Sequence, residues 1–101
     1  MIIIERKFHL ESNCSEKFLD LLSEYFDAIE KDPYIETFAI VTSSSDNSDI
    51  IARFVVENIE SWDKRMEQDY VREFLAKTHG LVHSVDTDSQ TIIKWYTKSN
   101  A

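Results

Sequence analysis

One cysteine, one glycine and one proline stand in a chain of 101 residues, and each scarcity excludes a class of protein. The lone Cys14 leaves no internal disulfide and suits a reducing compartment, so a cytoplasmic location is expected. A single Gly80 leaves no Gly-rich phosphate loop of either the dinucleotide-binding or the P-loop type. The longest apolar runs, Met1–Ile4 and Phe38–Val41, are four residues each, so neither a signal peptide nor a membrane span is expected. Bases are scarce as well. Eleven stand against 19 acids for a net charge of −8, which opposes nucleic acid and anionic membrane as partners.

What is present is ordinary globular material, 43% hydrophobic and 30% charged. No repeat, linker or low-complexity tract divides it, so residues 1–101 are expected to form one domain. A chain of this length buries roughly two-thirds of its unfolded surface, which leaves little margin without a partner.

The pattern along the chain is β-α-β-β-α-β. Ile2, Ile4, Phe8 and Leu10 alternate along a first strand, Ile2–Leu10, interrupted on that face by Arg6. Asn13 or Ser15 is placed to cap a helix, with Glu16 completing a capping box with Asn13. Phe18, Leu22, Tyr25 and Ile29 follow at helical spacing, and Pro33 helps end the element at Asp32. Strands are expected over Tyr34–Ser43 and Ile50–Glu57, joined by a hairpin loop in the polar run 43–49. Asn58 opens a helix with Ile59, Trp62 and Met66 on one stripe. The stripe then shifts to Val71, Phe74, Leu75 and Thr78, which predicts a break capped by Asp69 and a second helix ending at Gly80. Leu81–Thr87 and Thr91–Thr97 read as extended segments around a turn at Asp88-Ser89. This order predicts an α+β, ferredoxin-like antiparallel sheet with its helices on one face.

Helices on one face leave the other exposed, and a solvated face should be polar at alternate positions. Here Ile50, Ala52, Phe54 and Val56 alternate with Ile51 and Val55, and Ile92 and Tyr96 with Ile93 and Trp95. Scattered exposed apolar residues are common, but an excess recurring on several strands predicts a homodimer through the sheet face.

The sequence resembles the antibiotic biosynthesis monooxygenase family of the dimeric α+β barrel superfamily along nearly its whole length. The residues that carry the likeness are Ile2-Ile3-Ile4-Glu5-Arg6, the helix 16–31, Asp32-Pro33-Tyr34 and Val56-Glu57-Asn58-Ile59-Glu60-Ser61, with Phe74 in a second short helix. The resemblance implies a homodimer with a pocket in each subunit between sheet and helices. It also implies oxidation of an aromatic, quinol-type or haem-like ligand by dioxygen, often with no metal or flavin cofactor. Two positions depart from the family pattern: Ile59 replaces a frequent Trp before the Glu-Ser pair, and Glu73 replaces a frequent His. With Ser61 and Phe74 as anchors, the Asn, Trp and His of the haem-degrading branch fall on Arg6, Gln68 and Thr78, so haem degradation is not expected.

Arg6 is the most informative residue, because an unpaired charge on an otherwise apolar strand face is costly. It either snorkels to the sheet edge or pairs with a glutamate, or it binds a phenolate or carboxylate of a ligand. Trp62, Met66, Tyr70 and Phe74 form a core stripe that would equally line a pocket for a flat hydrophobic ligand, the Tyr70 hydroxyl orienting it. His79 and His83 have metal-ligand spacing, but Gly80 between them spoils the shared helix, so no metal site is expected. His79 reads as a helix-end cation or as a general base at a pocket mouth. The exposed acids Glu16, Asp20, Glu24 and Asp27 read as a solvated helix face.

An RNA-recognition domain shares the strand order, and Ala52–Val56 faintly resembles its aromatic strand, but the glycine spacing and basic surface are missing. The remaining rival to a cofactor-independent oxygenase, with Arg6 and His79 as catalytic residues, is a non-catalytic ligand-binding or assembly module on the same dimeric fold.

Overall fold

The computed structural model describes residues 1–42 and 49–95. The first alternation forms β1 (Ile2–Leu10) with the predicted bounds, burying Ile4, Phe8 and Leu10. The first helical stretch is two helices, α1 (Ser15–Ser23) and α2 (Phe26–Glu30). Between them Glu24 N–H donates to Leu21 O at 3.2 Å and Tyr25 N–H to Leu22 O at 3.0 Å. These tighter i→i−3 bonds overwind the chain, and Tyr25 is buried at the break. The expected capping box is absent. Asn13 takes a left-handed conformation at φ 61°, and the N-cap is Cys14, with no side-chain cap.

β2 (Thr37–Thr42) starts later than expected and pairs with β3 (Asp49–Val56). Tyr34 cannot begin the strand because its backbone N–H donates to Asp32 Oδ1 at 2.9 Å in an Asx turn. The predicted hairpin loop falls on 43–48, outside the described residues. α3 (Ile59–Met66) opens as predicted, with Asn58 Oδ1 accepting from Ser61 N–H at 2.8 Å. α4 (Asp69–Thr78) follows, but its N-cap is Gln68, not Asp69. Gly80 does not end it: Thr78 Oγ1 donates back to Phe74 O at 2.9 Å, and a 3-10 turn, His79–Leu81, carries the chain past Gly80 at negative φ.

The last strand, β4 (Val82–Thr91), is continuous. The predicted turn at Asp88-Ser89 is absent because both residues pair in register with Glu5 and Ile4 of β1. Residues 92–95 lie outside any strand, and the expected continuation at Tyr96 and Thr97 falls outside the described residues.

The sheet order is β2-β3-β1-β4, antiparallel at every pairing, which is the ferredoxin-like arrangement expected, with each of its two helices broken in two. The helix-facing side holds an aromatic cluster. Phe8 lies 5.1 Å from Phe18, and Phe74 lies 5.6 Å from Phe18 and 5.5 Å from Tyr25, centroid to centroid. Such rings contribute contact energy beyond the area they bury.

The opposite face is more ionic than the alternation suggests. Arg53 Nε donates to Glu5 at 2.8 Å. His9 lies between Asp49 at 3.0 Å and Asp86 at 2.8 Å. β4 contributes only Ser84, Asp86, Asp88 and Gln90, in register with His9, Lys7, Glu5 and Ile3. Apolar side chains on this face come from Ile3, Ala39, Val41, Ile51 and Val55, and Ile93 and Trp95 do not belong to it as strand residues.

Candidate functional site

The register row through Arg6 explains why a space exists beside it. Arg6 pairs with Ala52 of β3, which pairs with Ile40 of β2. Ala52 is the one small side chain in the inward series Ile50, Ala52, Phe54 and Val56, all buried. A methyl group there leaves the volume a larger residue would fill, and two guanidinium groups border it. Arg6 enters from β1 and Arg65 from the last turn of α3.

Arg65 is 6% exposed and sits among rings, its guanidinium carbon 4.4 Å from the Phe54 centroid, 4.9 Å from Trp62 and 6.0 Å from Tyr70. Arg6 lies 5.4 Å from the Phe8 centroid. These cation–π contacts offset part of the cost of taking the charges out of water. Neither arginine forms an ion pair among the described residues, and the buried Nε of each has no hydrogen-bond partner. Burial pulls the Arg6 pKa down from its ordinary value, and the neighbouring Arg65 charge pulls it further. Burial also lowers Arg65, against the opposing pull of Tyr70 and Asp32.

Asp32, 5% exposed, has its oxygens engaged. Oδ1 accepts from Tyr34 N–H and from Gln68 Nε2, both at 2.9 Å, and Oδ2 accepts from the Tyr70 hydroxyl at 2.5 Å. Burial and then the bond to Asp32 push the Tyr70 pKa up to about 12. Tyr70 therefore stays protonated at neutral pH, with its hydrogen already directed at Asp32.

The enclosed space among Arg6, Ala52, Phe54, Arg65, Tyr70 and Phe74 is about 20 Å³, room for about one water. Of the residues singled out in the sequence, Arg6, Tyr70 and Phe74 line it. Trp62 and Met66 do not: Trp62 packs on Phe54 at 5.2 Å, while Met66 Sδ sits against both guanidiniums, 3.2 Å from Arg65 Nη1 and 4.0 Å from Arg6 Nη1.

His79 borders a separate, open depression with Thr78, His83 and Val85, and this depression shares only Phe8 and Leu75 with the Arg6 cavity. His83, on β4, lies 3.6 Å from Glu11. The structure thus brings Arg6, Tyr70 and Phe74 together and leaves His79 outside. Among the described residues, no three His, Cys, Asp or Glu side chains are grouped to hold a metal ion, and no helix is long and apolar enough to cross a membrane.

Sequence reasoning missed three residues here. Arg65 lies three positions after Trp62, on the same helical face, while Ile59, assigned to that stripe, is 46% exposed. Asp32 enters the sequence reading as the residue before Pro33 at the helix end and as part of the Asp32-Pro33-Tyr34 likeness, with no role at the site. Ala52 carried a visible signal, a lone small residue in a bulky alternation.

No family model matches the sequence, and no curated protein matches it. Solved structures do match. A structure described as an antibiotic biosynthesis monooxygenase superposes with a TM-score of 0.83 at 7% identity, covering 93% of this chain and 100% of its own. A protein from Nitrosomonas europaea, provisionally named an antibiotic biosynthesis monooxygenase, gives a TM-score of 0.85 at 9% identity over 93% of this chain and 100% of its own. One from Deinococcus radiodurans, provisionally given the same name, gives 0.82 at 10% identity over 99% and 100%. At such identities the likeness establishes the shared fold and leaves the chemistry to the residues of this chain.

Proposed function

We propose that this chain is a divergent antibiotic biosynthesis monooxygenase-like protein that oxidises a small aromatic or quinol-type substrate with dioxygen, without a cofactor. The substrate would be held between sheet and helices. The observation that carries this reading is the Arg6–Arg65 pair bordering an aromatic-lined cavity, with no counter-charge bound to either among the described residues. Such an environment favours a substrate in its anionic form.

For a phenolic compound bearing an acidic CH2 group, the reaction balances without an external reductant. Loss of a proton gives an anion, and one electron passes to dioxygen. The resulting radical and superoxide combine into a C–O bond, and after protonation the peroxide loses water to leave C=O. One oxygen atom enters the product and the other leaves as water. Arg6 stabilises the anion in this scheme. Tyr70 and Phe74 bound the ring, while Trp62 packs on the Arg65 guanidinium and Met66 against both guanidiniums. His79 serves as the base only for a substrate that reaches past Phe8 and Leu75.

The same proposal includes a homodimer through the open sheet face, where Ile3, Val41, Ile51 and Val55 are interleaved with Glu5, Arg53, Lys7 and Asp49. A cytoplasmic location is in keeping with the single cysteine. His79, the base named in this scheme, lies outside the Arg6 cavity, which favours a second reading, a non-catalytic ligand-binding or assembly module on the same dimeric fold. Dioxygen uptake by purified, metal-stripped protein against quinols, catechols and anthrone-like polycyclics separates the two. Saturable, heat-labile uptake above the autoxidation rate supports the oxygenase, and no uptake across the panel supports the module.

A further inference from the structure

Buried arginines normally carry a carboxylate partner, because an uncompensated charge in a protein interior costs several kcal/mol. Arg65 is almost wholly buried, and among the described residues its Nε is unpartnered, as is that of Arg6. The acceptor that their Nη1 atoms share is the Met66 sulfur, which is a weak one. The carboxylate nearest in influence, Asp32, is bound to Tyr34, Gln68 and Tyr70. The chain as a whole carries −8, yet at this interior point it sets two cations together. Methionine is also the most adaptable of apolar side chains, and Met66 is only half-buried, so it can leave.

We propose that Arg6 and Arg65 form a carboxylate-binding site for a small aromatic acid, in which the ligand's carboxylate displaces the Met66 thioether. A carboxylate has acceptor oxygens for both guanidiniums, whose planar forks match its geometry. The ring lies against Phe54, Tyr70 and Phe74, which border the cavity beside the two guanidiniums. The enclosed 20 Å³ is then the inner end of the site while Met66, which does not itself line that space, holds both guanidiniums. This deepens the reading of the cavity but does not depend on its oxygen chemistry, so carboxylate binding and dioxygen uptake can fail separately.

The test is calorimetric titration of the intact chain with benzoate and with benzamide, its neutral counterpart of the same shape. Benzoate is expected to bind at least tenfold more tightly than benzamide. Arg65→Met is expected to reduce benzoate affinity at least tenfold, and Met66→Ala to bind benzoate at least as tightly as the parent. Equal affinity for benzoate and benzamide in the parent would overturn the proposal, and that comparison needs no variant to fold. So would undiminished benzoate binding by a folded Arg65→Met protein, or the absence of benzoate binding in both the parent and Met66→Ala.

Discussion

The Tyr70 hydroxyl donates to Asp32 Oδ2 at 2.5 Å, joining the first turn of α4 to the turn that follows α2. The same carboxylate holds Gln68, at the start of α4, and the Tyr34 backbone. One buried acid thus fixes the angle at which α4 lies on the sheet, and with it the positions of Tyr70 and Phe74 at the cavity.

Asp32→Ala leaves three donors without their acceptor, and hydrogen bonds to a charged group contribute about 1.5–3 kcal/mol each. With partial relaxation, a loss of about 3 kcal/mol is expected in urea denaturation. Tyr70→Phe removes one of the three bonds and is expected to cost about 1.5 kcal/mol. Equal stability of Asp32→Ala and the parent would show that the carboxylate does not organise this corner.

Ala52 gives the cavity its room. Ala52→Leu fills the space beside Arg6 and is expected to cost about 1–3 kcal/mol in overpacking. It should also abolish ligand binding while circular dichroism stays native. Unchanged binding in a folded Ala52→Leu protein would mean that the ligand sits elsewhere.

Hydrogen bonds to Asp86 and then to Asp49 raise the His9 pKa above its ordinary value. A proton held more tightly in the folded chain stabilises it below the unfolded histidine value, and that contribution is lost as pH rises through the raised folded value. The melting temperature of the parent minus that of His9→Asn is therefore expected to be larger near about pH 5.5 than near about pH 9. Thermal melts across this range check the sign, and a difference that grows with pH would contradict it.

Ile51 lies on the open face, in register with Lys7 and Val41. If two copies join through that face, Ile51→Lys places a new, unpaired charge at the contact. Sedimentation velocity is expected to show a dimer for the parent and a monomer for the variant, each with native circular dichroism. A monomeric parent would remove the dimer from the account.

The parts of this molecule legible in its sequence are those where one face dominates. β1 has its predicted bounds because its alternation is strong, and α3 begins just after Asn58 because an Asn three residues before a free backbone N–H is a sufficient cap. The break at Tyr25 was hidden because Phe18, Leu22, Tyr25 and Ile29 keep helical spacing across it. β4 is not legible as one strand because Thr87, Ser89 and Thr91, in register with Arg6, Ile4 and Ile2, are polar and exposed, so the alternation fades while backbone pairing with β1 continues. At the site, Arg6 stood out as a charge on an apolar face. Arg65 did not, because an arginine on a helix is unremarkable until the fold turns it inward. Nor could spacing reveal that Asp32 and Tyr70, far apart in the chain, share a proton donor and acceptor.

The most direct measurement of the central claim is isotope transfer from 18O-labelled dioxygen to the product of an anthrone-like substrate, with the parent and Arg6→Met proteins side by side. The account predicts one labelled oxygen per product molecule from the parent, formed above the autoxidation rate, and at least tenfold less from a folded Arg6→Met protein. Product carrying no label, or full turnover by Arg6→Met, would contradict it.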